Sequence, residues 1–149
     1  MKIGIASDHA GYALKEHLKS FLAKKRHKII DFGTDSADKP ADYPDFAKKV
    51  AQAVIAGRVE RAIIICGSGV GASVAANKIK GIRAGLCHDT YSAHQAVEHD
   101  DINILCLGSR IIGQSLAQEL SAAFIKAKFS GERRHKKRLD KIEKLEREN

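Results

Sequence analysis

Apolar positions along this chain follow two rhythms: short unbroken runs rich in β-branched residues, and longer stretches where they return every third or fourth position. The first rhythm predicts strands and the second predicts amphipathic helices. Lys2–Ala6 reads as a first strand. A helix follows through Leu14, Leu18, Phe21 and Leu22, whose spacing puts them on one stripe. His27–Phe32 is a second strand, and the polar loop Gly33–Pro44 leads to a helix from Asp45 that turns Phe46, Val50, Ala53 and Val54 inward. Arg61–Cys66 is a third strand, because Ala62–Ile65 is too short and too β-branched for a helix. A glycine-rich turn and a third helix from Ala72 to Lys78 come next. Arg83–Cys87 forms a fourth strand and Tyr91–His99 a helix; Asn103–Leu107 forms a fifth strand, followed by a helix from about Ile112 to Ala127.

Strands separated by helices of this length imply right-handed crossovers and a parallel sheet covered on both faces. The class is therefore α/β; no repeat or linker divides residues 1–128, and residues 1–149 read as one domain with 130–149 as a basic helical extension. Residues 130–149 differ in character. Glu132-Arg133-Arg134-His135-Lys136-Lys137-Arg138 opens a charged helix whose only apolar stripe is Leu139, Ile142 and Leu145. So thin a stripe holds a lone helix weakly. It is better supported on a second subunit, so a homodimer is expected.

The chain has 149 residues, enough for a real core, and no apolar stretch of the roughly 20 residues a membrane helix needs. Met1 runs directly into the first strand pattern without a signal-peptide profile, and a cytoplasmic location is expected. Three cysteines cannot all pair within one chain, and their spacing matches no zinc pattern. The net charge of +8 suits an anionic partner, either a small molecule or nucleic acid. Only 5% of residues are aromatic and no stacking motif is present, which counts against nucleic acid.

Ligands of open parallel sheets bind beyond the carboxyl ends of the strands. Those ends carry Ser7-Asp8-His9, Cys66 with its glycine turn, His88-Asp89, and Gly108-Ser109-Arg110. Cys66 opens Gly67-Ser68-Gly69-Val70-Gly71, so its thiol faces successive backbone N–H groups and a helix N-terminus. That field favours thiolate over thiol and makes Cys66 a candidate base or nucleophile. A free cysteine is otherwise a small core residue, and Cys87 and Cys106, without such a turn, are expected in the core. Asp8 and His9 form an acid/base pair or, alternatively, Ser7 or Asp8 caps the first helix. His99 lies before the fifth strand, at the far end of the sheet, within easier reach of a neighbouring subunit's site than of its own. His17, His27, His88 and His94 read as surface or capping residues. Arg134 and Arg138, four apart, share a helix face able to grip one phosphate. Gly67–Ala72 also fits G-x-G-x-x-A, a dinucleotide-type pattern, with Asp89 about twenty residues on. Here, however, it follows the third strand rather than the first.

In combination these residues resemble the ribose-5-phosphate isomerase B family, which includes allose-6-phosphate isomerases and the subunits of galactose-6-phosphate isomerase. The resemblance spans nearly the whole chain. It is carried by Ser7-Asp8-His9-Ala10-Gly11, Asp42-Tyr43-Pro44-Asp45, Cys66–Gly71, Ala75-Ala76-Asn77-Lys78, Gly81-Ile82-Arg83-Ala84, His99, Asn103, Gly108-Ser109-Arg110 and Arg134-His135 with Arg138. It implies a Rossmann-like sheet of five parallel strands in three α/β/α layers. It also implies a homodimer or dimer of dimers with sites shared between subunits, and no metal or coenzyme. Cys66 would move the proton between C2 and C1, Ser68 would position the reacting end, and His99 would open the sugar ring. The amides of Gly67, Ser68, Gly69, Val70 and Gly71 would stabilise the enediolate. Asp8, His9 and Tyr43 would line the sugar, and Arg110, Arg134 and Arg138 would bind its phosphate.

Two departures from the family pattern stand out. Asp100 replaces the usual Asn after the histidine, exchanging an amide donor for a carboxylate and bearing on which sugar is recognised. Glu132-Arg133 stands where the family has glycines before Arg-His, and Arg133 offers one more cation. The expected activity is conversion of ribose 5-phosphate to ribulose 5-phosphate. A hexose 6-phosphate such as allose 6-phosphate, or a nucleotide-binding role, is the alternative.

Overall fold

The computed structural model describes residues 1–149. Five strands form one fully parallel sheet: β1 (Lys2–Ser7), β2 (Lys28–Asp31), β3 (Arg61–Cys66), β4 (Ala84–Leu86) and β5 (Ile104–Gly108), in the order β2-β1-β3-β5-β4. Six helices accompany them: α1 (Tyr12–Lys24), α2 (Tyr43–Ile55), α3 (Val70–Ala76), α4 (Thr90–Asp100), α5 (Gln114–Lys126) and α6 (Arg133–Glu148). The expected α/β/α layering is present. None of these helices is long and apolar enough to cross a membrane.

The layers follow from the period of two within each strand. In β3, Ile63 and Ile65 face one way, into a core with Leu14, Leu18 and Leu22 of α1, Val97 of α4, and Leu120 and Phe124 of α5. Ala62, Ile64 and Cys66 face the other way, against Ala47, Val50 and Ala51 of α2 and Ala72 and Ala76 of α3. The two cores explain why β3 reads as a continuous apolar run rather than an alternating one. Cys66 thus belongs to the α2–α3 face, at the last position of its strand.

The chain leaves β1 toward one edge through β2, then crosses back to place β3 on the other side of β1. The crevice at this reversal lies between the carboxyl ends of β1 and β3, where parallel sheets bind ligands. It therefore falls between Asp8 and Cys66.

Element boundaries differ locally from the pattern-based expectation. Helix α2 begins at Tyr43, since Pro44 is accommodated in its first turn, where no N–H is required. Helix α3 begins at Val70, directly after the left-handed Gly69. Strand β4 is only three residues long. Its outer edge is closed by the Asn77 carboxamide, which accepts from the Ala84 N–H at 2.8 Å and donates to the Ala84 carbonyl at 2.9 Å. Side-chain pairing of this kind covers part of a short edge strand.

Candidate active site

Cys66 is 4% exposed, and its sulfur accepts the Gly69 N–H at 3.1 Å. Gly69 itself stands at φ +78°, where the chain turns from the cysteine into α3. A Cβ at that position would meet the Leu107 carbonyl carbon at 2.8 Å, so space and conformation both demand glycine. An amide aimed at the sulfur suits a thiolate. The other two cysteines lack such a donor. Burial pushes the Cys87 thiol up to about 11, with Asp89 adding to the effect, and burial pushes Cys106 higher still. Both lie in the core, as expected.

The rest of the glycine turn is equally determined. Val70 N–H donates to the Ser68 hydroxyl at 3.2 Å. The Arg110 guanidinium lies over Gly67, where a Cβ would sit 3.3 Å from Nη1. The Tyr43 ring lies on Gly71, where a Cβ would meet it at 2.5 Å. The absence of a side chain at Gly71 therefore admits the tyrosine ring. The turn after β5 is tied to the same place: Ser109 N–H donates to the Cys66 carbonyl at 2.9 Å, and Arg110 N–H to the Gly67 carbonyl at 3.0 Å.

Asp8 is buried and accepts the Gly11 N–H at 3.0 Å, which closes the turn leading into α1, whose N-terminus has no side-chain cap, and Asp8 also lines the site. His9 Nδ1 accepts the Ala41 N–H at 3.1 Å, which ties the ring to the loop before α2. Asp8, Tyr43, Cys66, Gly67, Ser68, Gly71, Arg110 and Ile111 surround one cavity of about 290 Å³. Ile111 was not anticipated, because nothing in its local sequence separates it from core isoleucines. A larger hollow of about 930 Å³ lies beneath α6 and holds no cysteine or histidine.

His99, Asp100, Arg134 and Arg138 are not part of this group within the chain. The β3–β5 register sets Ala62 against Ile104 and Cys66 against Gly108. His99 sits at the C-terminal end of α4, just before Ile104, so about 13 Å of strand separates the two ends. There His99 stacks on the buried His135, with ring centroids 4.0 Å apart. The Gln95 amide nitrogen lies 2.8 Å from His99 Nδ1, which leaves Nε2 to carry the proton of the neutral ring. His135 Nδ1 is 2.6 Å from the Ser130 hydroxyl, and burial, with His99 and Arg134 nearby, holds its pKa below the usual histidine value. Asp101, in the left-handed region at φ 47°, ends α4 and pairs with Arg83 at 2.8 Å. Asp100 lines the hollow beneath α6. Arg134 pairs with Glu132 at 2.8 Å, and Arg133 and Arg138 face solvent. No group of three or more His, Cys, Asp or Glu side chains is arranged to hold a metal ion.

Comparison with known proteins bears on the fold and the family. The family model for ribose/galactose isomerases matches residues 3–142. A solved structure of ribose-5-phosphate isomerase B from Clostridium thermocellum superimposes with a TM-score of 0.96 at 49% identity, covering 99% of both chains. Ribose-5-phosphate isomerase B of Escherichia coli is 42% identical over 145 residues, 97% of this chain and 96% of that protein. The D-erythrulose-4-phosphate isomerase of Pectobacterium atrosepticum is 38% identical over 131 residues, 88% of this chain and 86% of that protein. With the family model, these relatives and the superimposed fold in agreement, the chain belongs to the ribose/galactose isomerase family of sugar-phosphate isomerases.

Proposed function

We propose that this chain interconverts ribose 5-phosphate and ribulose 5-phosphate, with Cys66 as the proton carrier. The observation that carries the proposal is the Gly69 N–H bond to the Cys66 sulfur at the wall of the 290 Å³ cavity. The thiolate takes the proton from C2 of the open aldose. The C2–H electron pair becomes the C1–C2 double bond of an enediolate, whose charge the turn amides accommodate. Cys66 then returns the proton to C1, while the hydroxyl proton of C2 passes to the former carbonyl oxygen and C2 becomes the ketone. Ser68 positions the reacting end, and Asp8, His9 and Tyr43 line the sugar. Arg110 takes the phosphate, a handle remote from the reacting carbons that holds them in register.

Ring opening falls to His99, whose Nε2–H is the available acid. Because His99 and Cys66 occupy opposite ends of one sheet, we infer that each site is completed by a second copy of the chain, which brings His99, Asp100, Arg134 and Arg138. Residues 1–149 then act as one catalytic unit, with 130–149 as its basic extension.

The test is an NMR isomerisation assay over ribose 5-phosphate, allose 6-phosphate and erythrulose 4-phosphate. Turnover is expected to be fastest on ribose 5-phosphate; a faster hexose or tetrose substrate would shift the assignment to Asp100-directed recognition of that sugar. Cys66→Ala is expected to lower kcat at least about 10³-fold with the fold intact. Turnover near wild type by that variant would remove Cys66 as the base.

A further inference from the structure

Strand β4 stops early. Its last pair is Leu86 with Cys106, whereas β5 runs two residues further to Gly108, which pairs with Cys66 on its other side. Past Leu86 the edge strand no longer pairs, and the Gly108 amide needs another acceptor. It finds one in a side chain: Nε2 of His88, 2.9 Å from the Gly108 nitrogen. A backbone amide can only donate, so Nε2 must present its lone pair, the ring must be neutral, and its proton must sit on Nδ1. Partial burial of the ring works in the same direction, holding its pKa below the ordinary histidine value.

The peptide anchored this way has no slack. A Cβ on Gly108 would lie 2.6 Å from the Ser68 carbonyl. Immediately after it, Ser109 and Arg110 donate to the Cys66 and Gly67 carbonyls, and the Ser109 hydroxyl donates to the Ala10 carbonyl at 2.8 Å. The Gly108–Arg110 turn is thus pressed on the cysteine turn from one side and fastened by His88 from the other.

We propose that His88 is a positioning residue: its imidazole stands in for the strand carbonyl that β4 lacks and sets where the Arg110 guanidinium meets the substrate phosphate. The inference rests on the assignment of Arg110 to phosphate made above. Removing the acceptor leaves a buried N–H unpaired, and the turn relaxes away from the cavity. Because Arg110 holds a group remote from the reacting carbons, the loss falls on binding more than on proton transfer.

The experiment compares His88→Leu with His88→Gln, whose side-chain carbonyl can still accept. His88→Leu is expected to raise KM, and the inhibition constant of inorganic phosphate, about tenfold with kcat within about threefold. His88→Gln is expected to restore most of both. Nitrogen-15 NMR of the wild-type protein is expected to show His88 protonated on Nδ1 and bare at Nε2. A proton on Nε2, or a folded leucine variant with unchanged KM and phosphate inhibition, overturns the proposal. Should the leucine variant not fold, the wild-type tautomer decides. That measurement needs no turnover, so it separates a failure here from a failure of the isomerase assignment.

Discussion

At the scale of single residues, Gly69 shows how a backbone angle reaches the chemistry. Its N–H donates to the Cys66 sulfur, and its φ of +78° turns the chain directly into α3. Gly69→Ala adds a left-handed penalty of about 1–2 kcal/mol and a contact with the Leu107 backbone that cannot relax cheaply. The expected outcome is a lower Tm, a lower kcat in the isomerisation assay and slower alkylation of Cys66 by iodoacetamide at neutral pH. Unchanged alkylation would mean that the Gly69 amide does not tune the sulfur. Cys66 was legible in the sequence because its glycines follow it directly. His88 was not: it reads as a surface histidine until β5, twenty residues later, presents the Gly108 amide to it.

Between elements, the clearest non-apolar joint links α1 to the end of β2. Lys15 of α1 is 1% exposed, yet its ammonium is satisfied by Asp31 at 2.7 Å and the Thr34 carbonyl at 2.7 Å. Lys19 adds a second contact to Asp31 at 2.8 Å. Burial pushes the Asp31 carboxyl up, but Lys15, Lys19 and the Gly33 N–H together outweigh it and hold its pKa below the usual value. A depressed carboxylate contributes stability above its unfolded pKa, and that contribution disappears as pH falls through the folded value. Asp31→Asn is therefore expected to cost about 1–2 kcal/mol at neutral pH, the low end for a buried pair because the carboxylate is partly exposed. In urea melts the gap between variant and wild type is expected to narrow as the pH falls through and below the ordinary carboxylate range. A gap independent of pH would show that the joint is not electrostatic. The sequence offered no sign of this joint, because Lys15 lies on an apolar stripe where a charge reads as solvent-facing.

For the whole molecule, the decisive relation is between the two ends of the sheet. Helix α6 does lean on its own chain: Leu139 and His135 are buried, and Glu146 accepts the Gly81 N–H at 2.8 Å. Its outer apolar residues remain open, with Leu145 61% exposed, and Val70, Val74, Leu86, Tyr91 and Ile111 are exposed on elements around the cysteine turn. If two copies share their sites, Cys66→Ala and His99→Asn subunits complement one another. Random mixing yields half mixed dimers, each with one intact site, so refolding the variants together is expected to recover about a quarter of wild-type activity. Recovery no greater than the sum of the separate variants would place both residues in one chain's site.

The local order of this protein is written in its residues: strand or helix at each stretch, the glycine turn after β3, and the cysteine that turn surrounds. Those features depend on near neighbours, whose steric and apolar demands are visible one position at a time. The strand order, with β5 inserted between β3 and β4, was decided only by the packed sheet. So was the use of His88 as a substitute strand acceptor, whereas the place of His99 at the far end from Cys66 already followed from its position just before the fifth strand. Such relations are set by which distant segments share a core, and a linear pattern of apolar positions does not encode which of several similar strands lies beside which.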